Sequence, residues 1–550
     1  MNLLAFLKKE SPESWKLIIT LASLSGIANG ILLAIINIGA DISGSERPGQ
    51  NATPHLLLLF AIGMAIFILA KRYSLVLSTQ VVEGMLKNTR IRVCDKIRKS
   101  ELMTLEHLDQ GQVFNRISQD MNLISQFSIV VISAGQDVVL LVCSLFYLSW
   151  LSSAAFFITV GGTALAIYAY YFHVQATMEQ LKKVADKEGE LFNLLGHILY
   201  GFKELRLNIR KNDSLFRSLT DIAETTRDLK TKSGVTFATT LLFSQVFFYL
   251  LLATVVFVLP QYIPTYSSVI VKTTATILFI SGPFTMVLNA APTLSRAEVA
   301  LDNLYTLERN LDRSLRGPVA GEGWPLTSFA DFKKVWLRDV SFTYIDKQGS
   351  PTFTVGPINL SVNRGDIIFI VGGNGSGKST VLKLLTGLYP PDSGAVMVDD
   401  RLVNAANAQA YGDLFSAIFS DFHLFDRLYG LEDVAEARVA ALIEQMELGD
   451  KVRFADGRFS TLDLSTGQRK RLALIVALLE GKEIYIFDEW ASDQDQHFRQ
   501  RFYEFILRDL KNHGKTIIAV THDDRFWHFA DRVVKLDLGR VVSDETSGTL

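Results

Sequence analysis

Apolar residues fall along this chain in two ways. Before about residue 295 they form long unbroken runs, and after it they form short runs separated by polar turns. Six of the long runs have bilayer length: 15–38, then about 55–77, 124–150, 153–173, 234–259 and 265–290. Each approaches the ~20 residues that a hydrocarbon core demands. The first, behind Lys8 and Lys9, is too long for the apolar part of a signal peptide and shows no small-residue cleavage site, so it reads as an anchor. The stretches between runs alternate in character. Segment 39–54 is rich in Gly, Ser and Asn, with Arg47 its only Lys or Arg. Trp150-Leu151-Ser152 is a minimal link, and Pro260-Gln261-Tyr262-Ile263-Pro264 is uncharged. Segments 71–127 and 173–234 are full of Lys and Arg. The positive-inside rule places these two segments, both termini and everything after the sixth run on the cytoplasmic side. Read as helical hairpins, each would carry the spans ~40 Å beyond the membrane at 1.5 Å per residue.

Each arm must turn. Leu105-Glu106-His107-Leu108-Asp109-Gln110-Gly111-Gln112 is the candidate in the first. Leu195-Gly196-His197-Ile198-Leu199-Tyr200-Gly201-Phe202-Lys203-Glu204-Leu205 is the candidate in the second. Such turns are either solvated loops or contacts to a soluble domain. Asp137, beside Gln136, falls near the middle of the third run. An ionisable group there faces a substrate cavity or makes a helix-packing hydrogen bond, and both readings stay open. Lys272, near a span end, can snorkel.

The second part of the chain predicts a soluble α/β domain. Strand-like runs occupy 334–344, 366–372, 395–398, 483–488, 515–520 and 532–538, with helical stretches at 431–447 and 467–479. A polar stretch and Gly323-Trp324-Pro325 precede it. The organisation expected is a multidomain membrane protein: residues 1–310 with six spans and two helical arms, a linker at 311–330, and an α/β P-loop domain at 331–550.

Its chemistry starts at Gly372-Gly373-Asn374-Gly375-Ser376-Gly377-Lys378-Ser379-Thr380, between an apolar run and a helical segment. The G-x-x-x-x-G-K-S spacing in a strand–loop–helix context is a P-loop. Its glycines let backbone N–H groups surround phosphate, and the helix N-terminus adds its positive dipole end. Lys378 would reach the β- and γ-phosphates and Ser379 would hold Mg²⁺. Downstream, Ile484-Tyr485-Ile486-Phe487 runs into Asp488-Glu489. A carboxylate at the tip of a buried strand suits Mg²⁺, and the next acid is placed to orient or deprotonate water. The chain therefore binds a nucleoside triphosphate with Mg²⁺.

Composition narrows the partners. A length of 550 residues exceeds one domain, and a net charge of −2 gives no sign of nucleic-acid binding. The 49% hydrophobic content and mean hydropathy of +0.23 are high for a soluble ATPase. Cys94 and Cys143 lie far apart without a C-x-x-C, and read as apolar filler.

Between P-loop and acid pair stands Leu464-Ser465-Thr466-Gly467-Gln468. Taken alone, Ser465 is a helix N-cap. The stretch resembles the L-S-G-G-Q signature of ATP-binding-cassette transporters, with Thr466 where glycine is usual. That resemblance implies further roles. Tyr344 would stack on adenine, His522 would be the switch histidine near the γ-phosphate, and Asp495 would be the aspartate of the loop joining two cassettes. Without it, His522 reads as a polar residue ending a strand. Ser420, ahead of Asp421-Phe422-His423-Leu424-Phe425, replaces an expected glutamine. The chain is also similar to cyclic-peptide and siderophore-peptide exporters of Gram-negative bacteria, the group that includes the pyoverdine and syringomycin exporters. Gly356-Pro357-Ile358-Asn359-Leu360, Ser420, Asp488-Glu489-Trp490-Ala491 with Asp493-Gln494-Asp495, and Lys203-Glu204-Leu205 with Asn208 carry that likeness.

What the resemblance implies is a half-transporter of the bacterial inner membrane, working as a homodimer with two composite ATP sites. Glu489 would be the base. The cargo would be a cyclic or non-ribosomal peptide, such as the siderophore precursor of pyoverdine, moved from cytoplasm to periplasm. A lipid or multidrug flippase of the same architecture is the alternative.

Overall fold

The computed structural model describes residues 12–44, 52–108, 110–263, 269–313, 329–346 and 349–546. Arg47, Pro264, the Gly323-Trp324-Pro325 motif and most of the expected linker lie outside them. The chain divides into two compact units, Met1–Asp95 with Gln110–Asn310, and Lys96–Asp109 with Leu311–Leu550.

The first unit is helical. Its long elements are Pro12–Gly44, Ala52–Lys99, Met121–Leu151, Ser153–Tyr200, Ile209–Ala253 and Ile270–Asp312. The 48 residues of Ala52–Lys99 extend ~72 Å at 1.5 Å per residue, more than twice a hydrocarbon core. Among the described residues, five stretches are long and apolar enough to cross a membrane: Ser14–Ala40, Pro54–Lys99, Val113–Leu151, Gln245–Tyr262 and Ile270–Ala290. The expected fourth run, 153–173, lies at the start of the longer helix Ser153–Tyr200. The expected run at 234–259 lies in the second half of helix Ile209–Ala253 and the helical turns that continue it, Thr254–Val258 and Leu259–Tyr262.

Polar side chains stitch these helices together. Gln136 Nε2 donates to Ser74 Oγ at 3.0 Å, Asn37 Nδ2 to Thr276 Oγ1 at 3.3 Å, and Arg92 pairs with Glu308 at 2.9 Å. Gln136 is engaged in packing through its bond to Ser74, and its neighbour Asp137 is half-buried. The second arm runs unbroken through the first six residues of its expected turn. It breaks at Gly201, continues as Phe202–Leu207, and restarts where Asn208 accepts from the Lys211 N–H at 3.0 Å.

The second unit gathers the turn of the first arm, helix Leu102–His107, with an α/β domain. An antiparallel sheet has the order β2-β1-β4-β5, with β1 Lys334–Ile345, β2 Pro351–Asn363, β4 Ser393–Val398 and β5 Arg401–Leu402. The larger sheet has the order β12-β11-β3-β10-β9-β6. Its strands are β3 Ile367–Val371, β6 Phe415–Ile418, β9 Ile484–Asp488, β10 Thr516–Val520, β11 Arg532–Asp537 and β12 Arg540–Thr546. A two-strand ribbon, β7 Phe454–Ala455 with β8 Arg458–Phe459, completes the set. Strands β3, β9 and β10 are buried throughout because both faces are covered. Their period of two divides the core: Ile367, Phe369 and Val371 join one cluster, and Ile368 and Ile370 join the other. The helix expected at 431–447 is shorter, Glu436–Gln445, whereas Thr466–Glu480 matches its pattern within a residue.

Candidate active site

Four parallel strands of the larger sheet end at one edge. Register aligns Ile370 with Val520, Val520 with Asp488, and Ile418 with Phe487. The residues that follow, Gly372, His522, Glu489 and Ser420, are therefore delivered to the same rim, the usual place for ligands in open α/β sheets.

The glycine loop leaves β3 through Gly372 (φ 152°), Gly375 (φ 76°) and Gly377 (φ 97°), backbone states that disfavour a side chain. Gly377 is the N-cap of helix Lys378–Leu385 and offers no side-chain cap, so the first turn keeps its N–H groups free of intrahelical acceptors. Gly373, Asn374 and Gly375 form the exposed crest of the loop. Lys378 is buried and donates to the carbonyls of Gly372 and Gly373 at 3.0 and 2.9 Å. Ser376 Oγ is buried with no hydrogen-bond partner among the described residues. An orphaned hydroxyl inside a glycine loop that opens a helix N-terminus fits an anionic ligand with several acceptor oxygens.

Beside the loop, Asp488 is 2% exposed. Burial pushes its carboxyl above the ordinary value, opposed by hydrogen bonds from the Ser379 side chain and the Ser420 main chain and by the Lys378 charge. A hydroxyl and a carboxylate in contact form a hard-oxygen pair suited to Mg²⁺, with remaining positions left for phosphate and water. No group of three or more His, Cys, Asp or Glu that could hold a metal occurs among the described residues. Such a metal would therefore depend on ligand oxygens.

Glu489 follows in the left-handed region (φ 51°, ψ 33°), which turns the chain sharply after the strand. Its Oε1 lies 2.9 Å from His522 Nε2. The two line a cavity of about 300 Å³ with Ser492, Arg499, Tyr503, Thr521 and Asp523. Asp523 is held below the usual carboxylate range, first by its hydrogen bonds to the Arg525 guanidinium. Tyr344 packs edge-on against Phe342 at 5.1 Å, and its hydroxyl lies 3.1 Å from Thr380 Oγ1. The half-buried ring thus sits on the first turn of the P-loop helix.

Two sequence candidates stand apart from this cluster within one chain. Ser465, Thr466, Gly467 and Gln468 open helix Thr466–Glu480 through a capping box: the Gln468 N–H donates to Ser465 Oγ, and the Ser465 N–H to Gln468 Oε1. Asp495 caps helix Gln496–Arg501 through the Phe498 N–H at 2.8 Å, and its other oxygen accepts from Arg471 at 2.6 Å. Sequence reasoning passed over Lys470, Arg471 and Tyr389. Charged residues on a helix face, or an aromatic in the bend after a helix, give no warning that tertiary contacts will bury them. Tyr389 stacks on Phe342 at 4.8 Å and its hydroxyl bonds Glu106 of the arm turn, which also pairs with Lys383 at 2.7 Å.

The ABC transporter family model matches residues 355–492, the span from β2 through the acid pair. ATP-binding protein SyrD of Pseudomonas syringae pv. syringae is 31% identical over 546 residues, covering 97% of this chain and 95% of that protein. The chain belongs to the ABC transporter family. As an ABC transporter, it carries an ATP-binding domain whose ATPase activity is coupled to transport. The macrolide export ATP-binding/permease proteins MacB of Vibrio parahaemolyticus and Shewanella oneidensis are 31% and 33% identical over 38% of this chain. The solved structure of a bacterial Atm1-family ABC exporter with ATP bound superposes with a TM-score of 0.77 at 17% identity. It covers 99% of this chain and 96% of that one, so the ABC exporter fold extends through both units.

Proposed function

We propose that this ABC transporter exports a cyclic or non-ribosomal peptide, of the siderophore-precursor type exemplified by pyoverdine, from cytoplasm to periplasm. The observation that carries the reading is the near full-length relationship to SyrD, taken with the likeness to cyclic-peptide exporters. The excess of Lys and Arg in both arms supports an inner-membrane location with termini and ATPase domain on the cytoplasmic side.

Glu489 acts as the base for the attacking water, with His522 beside it at the γ-phosphate. Tyr344 stacks on adenine, and the loop from Gly372 through Thr380 holds the phosphates. Ser379 and Asp488 would hold Mg²⁺, which supplies charge neutralisation at the phosphate oxygens. Ser465, Thr466, Gly467, Gln468 and Asp495 act across a homodimer interface. Their support is the exposure of Ser465 and Thr466 and their distance from their own P-loop in the sequence. The second arm's tip, with Tyr200 93% and Leu207 88% exposed, offers an apolar surface for the partner copy. Asp137, half-buried in its span, faces the cargo path.

The deciding experiment is ATP-dependent uptake of an acylated siderophore peptide into inside-out vesicles, wild type against Glu489→Gln. Uptake lost in the variant establishes peptide export. ATPase activity without peptide uptake, but with stimulation by lipid or a macrolide, moves the cargo to the flippase or drug class.

A further inference from the structure

Lys470 lies in the second turn of helix Thr466–Glu480 and is 4% exposed. An ammonium is kept from water at high cost unless every proton is paired. Here Nζ donates to the Glu489 carbonyl at 2.7 Å and to Ser492 Oγ at 3.4 Å, and pairs with Asp493 Oδ2 at 2.6 Å. All three donors therefore converge on the loop that carries Glu489. The main chain of Lys470 grips the same loop from the other side, since its carbonyl accepts the Trp490 indole N–H at 2.8 Å. Trp490 is anchored in turn by stacking on Phe502 at 4.4 Å.

Glu489 needs such restraint. Its left-handed backbone is uncommon for a residue with a side chain and persists only when surroundings enforce it. Both lone pairs of its carbonyl are taken, by Lys470 Nζ and by Ser492 Oγ at 2.7 Å. From that fixed peptide the carboxylate reaches His522 Nε2 at 2.9 Å.

We infer that Lys470 is a positioning residue for ATP hydrolysis, fixing the Glu489 main chain so that its carboxylate stays aimed at His522 and the attacking water. This rests on the reading of Glu489 as the base. It adds a route by which the start of the signature helix reports on hydrolysis. Gln494 Nε2 donates to the Gly467 carbonyl at 3.0 Å, and a Cβ on Gly467 would lie 2.7 Å from the Asp493 carbonyl oxygen. Helix start and catalytic loop are therefore in direct contact.

The test measures ATPase kcat and KM, ATP binding and melting temperature on the full-length protein in lipid nanodiscs. The variants are Glu489→Gln, Lys470→Gln, Lys470→Arg, Asp493→Asn and the Lys470→Gln/Asp493→Asn double variant. Lys470→Gln is expected to lower kcat about tenfold or more, which is about 1.4 kcal/mol of barrier. Its KM, ATP binding and melting temperature should hold. Lys470→Arg should recover part of the rate. The double variant should be no slower than Lys470→Gln alone, because the pair acts as a unit. A Lys470→Gln kcat within about twofold of wild type, with Glu489→Gln inactive, overturns the inference. So does a loss matched by weaker ATP binding or a lower melting temperature. If Lys470→Gln does not accumulate, a wild-type kcat in Asp493→Asn overturns it instead. Continued hydrolysis by Glu489→Gln sinks the base assignment on which it rests.

Discussion

His522 Nε2 stands 2.9 Å from Glu489 Oε1, although the two residues are 33 positions apart. Neighbouring parallel strands β9 and β10 bring them together, because each ends on the same rim. Glu489→Gln should bind ATP as wild type does yet lose turnover by about 10²-fold or more, the typical scale of a general base. His522→Ala should lower kcat and leave the affinity for ATP largely unchanged. Steady-state hydrolysis alongside equilibrium nucleotide binding checks both.

Tyr344 presents its ring over the first turn of the P-loop helix, fixed at the hydroxyl by Thr380 and at the edge by Phe342. Tyr344→Ala should weaken ATP binding by about 1–3 kcal/mol, the range for base–aromatic stacking. Tyr344→Trp should retain most of it. Titration with ATP and with inorganic triphosphate separates stacking from phosphate binding: the triphosphate should bind all three proteins alike.

Gly372 combines φ 152° with a close approach, since a Cβ there would lie 2.2 Å from the Leu536 carbonyl oxygen. That atom is backbone of a core strand and cannot swing aside. Gly372→Ala should destabilise the cassette by about 1–3 kcal/mol and abolish nucleotide binding, read by thermal melting with and without ATP. Gly373→Ala, where a Cβ meets nothing within 4 Å, is the matched control and should melt near wild type.

Tyr389 joins the arm turn to the Phe342–Tyr344 ring pair. Its hydroxyl bonds Glu106, and its ring stacks on Phe342, the neighbour of Tyr344. Tyr389→Phe keeps the stack and removes the bond. Basal ATPase should stay within about twofold of wild type, because the ring packing that supports Tyr344 survives. Stimulation by the proposed peptide cargo should fall. Equal stimulation in both proteins would show that the hydroxyl carries no signal from the arm.

Features governed by local chain geometry were legible in the sequence. The P-loop appears as spacing because its turns need glycine at fixed offsets. Strand β9 appears as four apolar residues before an acid because both its faces are covered. Helix Thr466–Glu480 declared its start because Ser465 and Gln468 satisfy each other's backbone. The edge strands β6 and β12 and the long β2 were not read. Short or half-exposed strands lack a distinctive pattern, and β2 carries Gly356 and Pro357 in its middle.

The sequence by itself determined that the chain holds membrane-length helices, two basic arms, a phosphate loop and an acid pair, since each is a property of consecutive residues. Only the tertiary structure decided who meets Glu489. The strand order β3-β10-β9 sets His522 beside it, and the docking of the signature helix brings Lys470 from 19 positions upstream. It likewise joined Glu106 to Tyr389 across 283 positions. Charged groups pay for burial through partners distant in the chain, and no local pattern records which partners those will be.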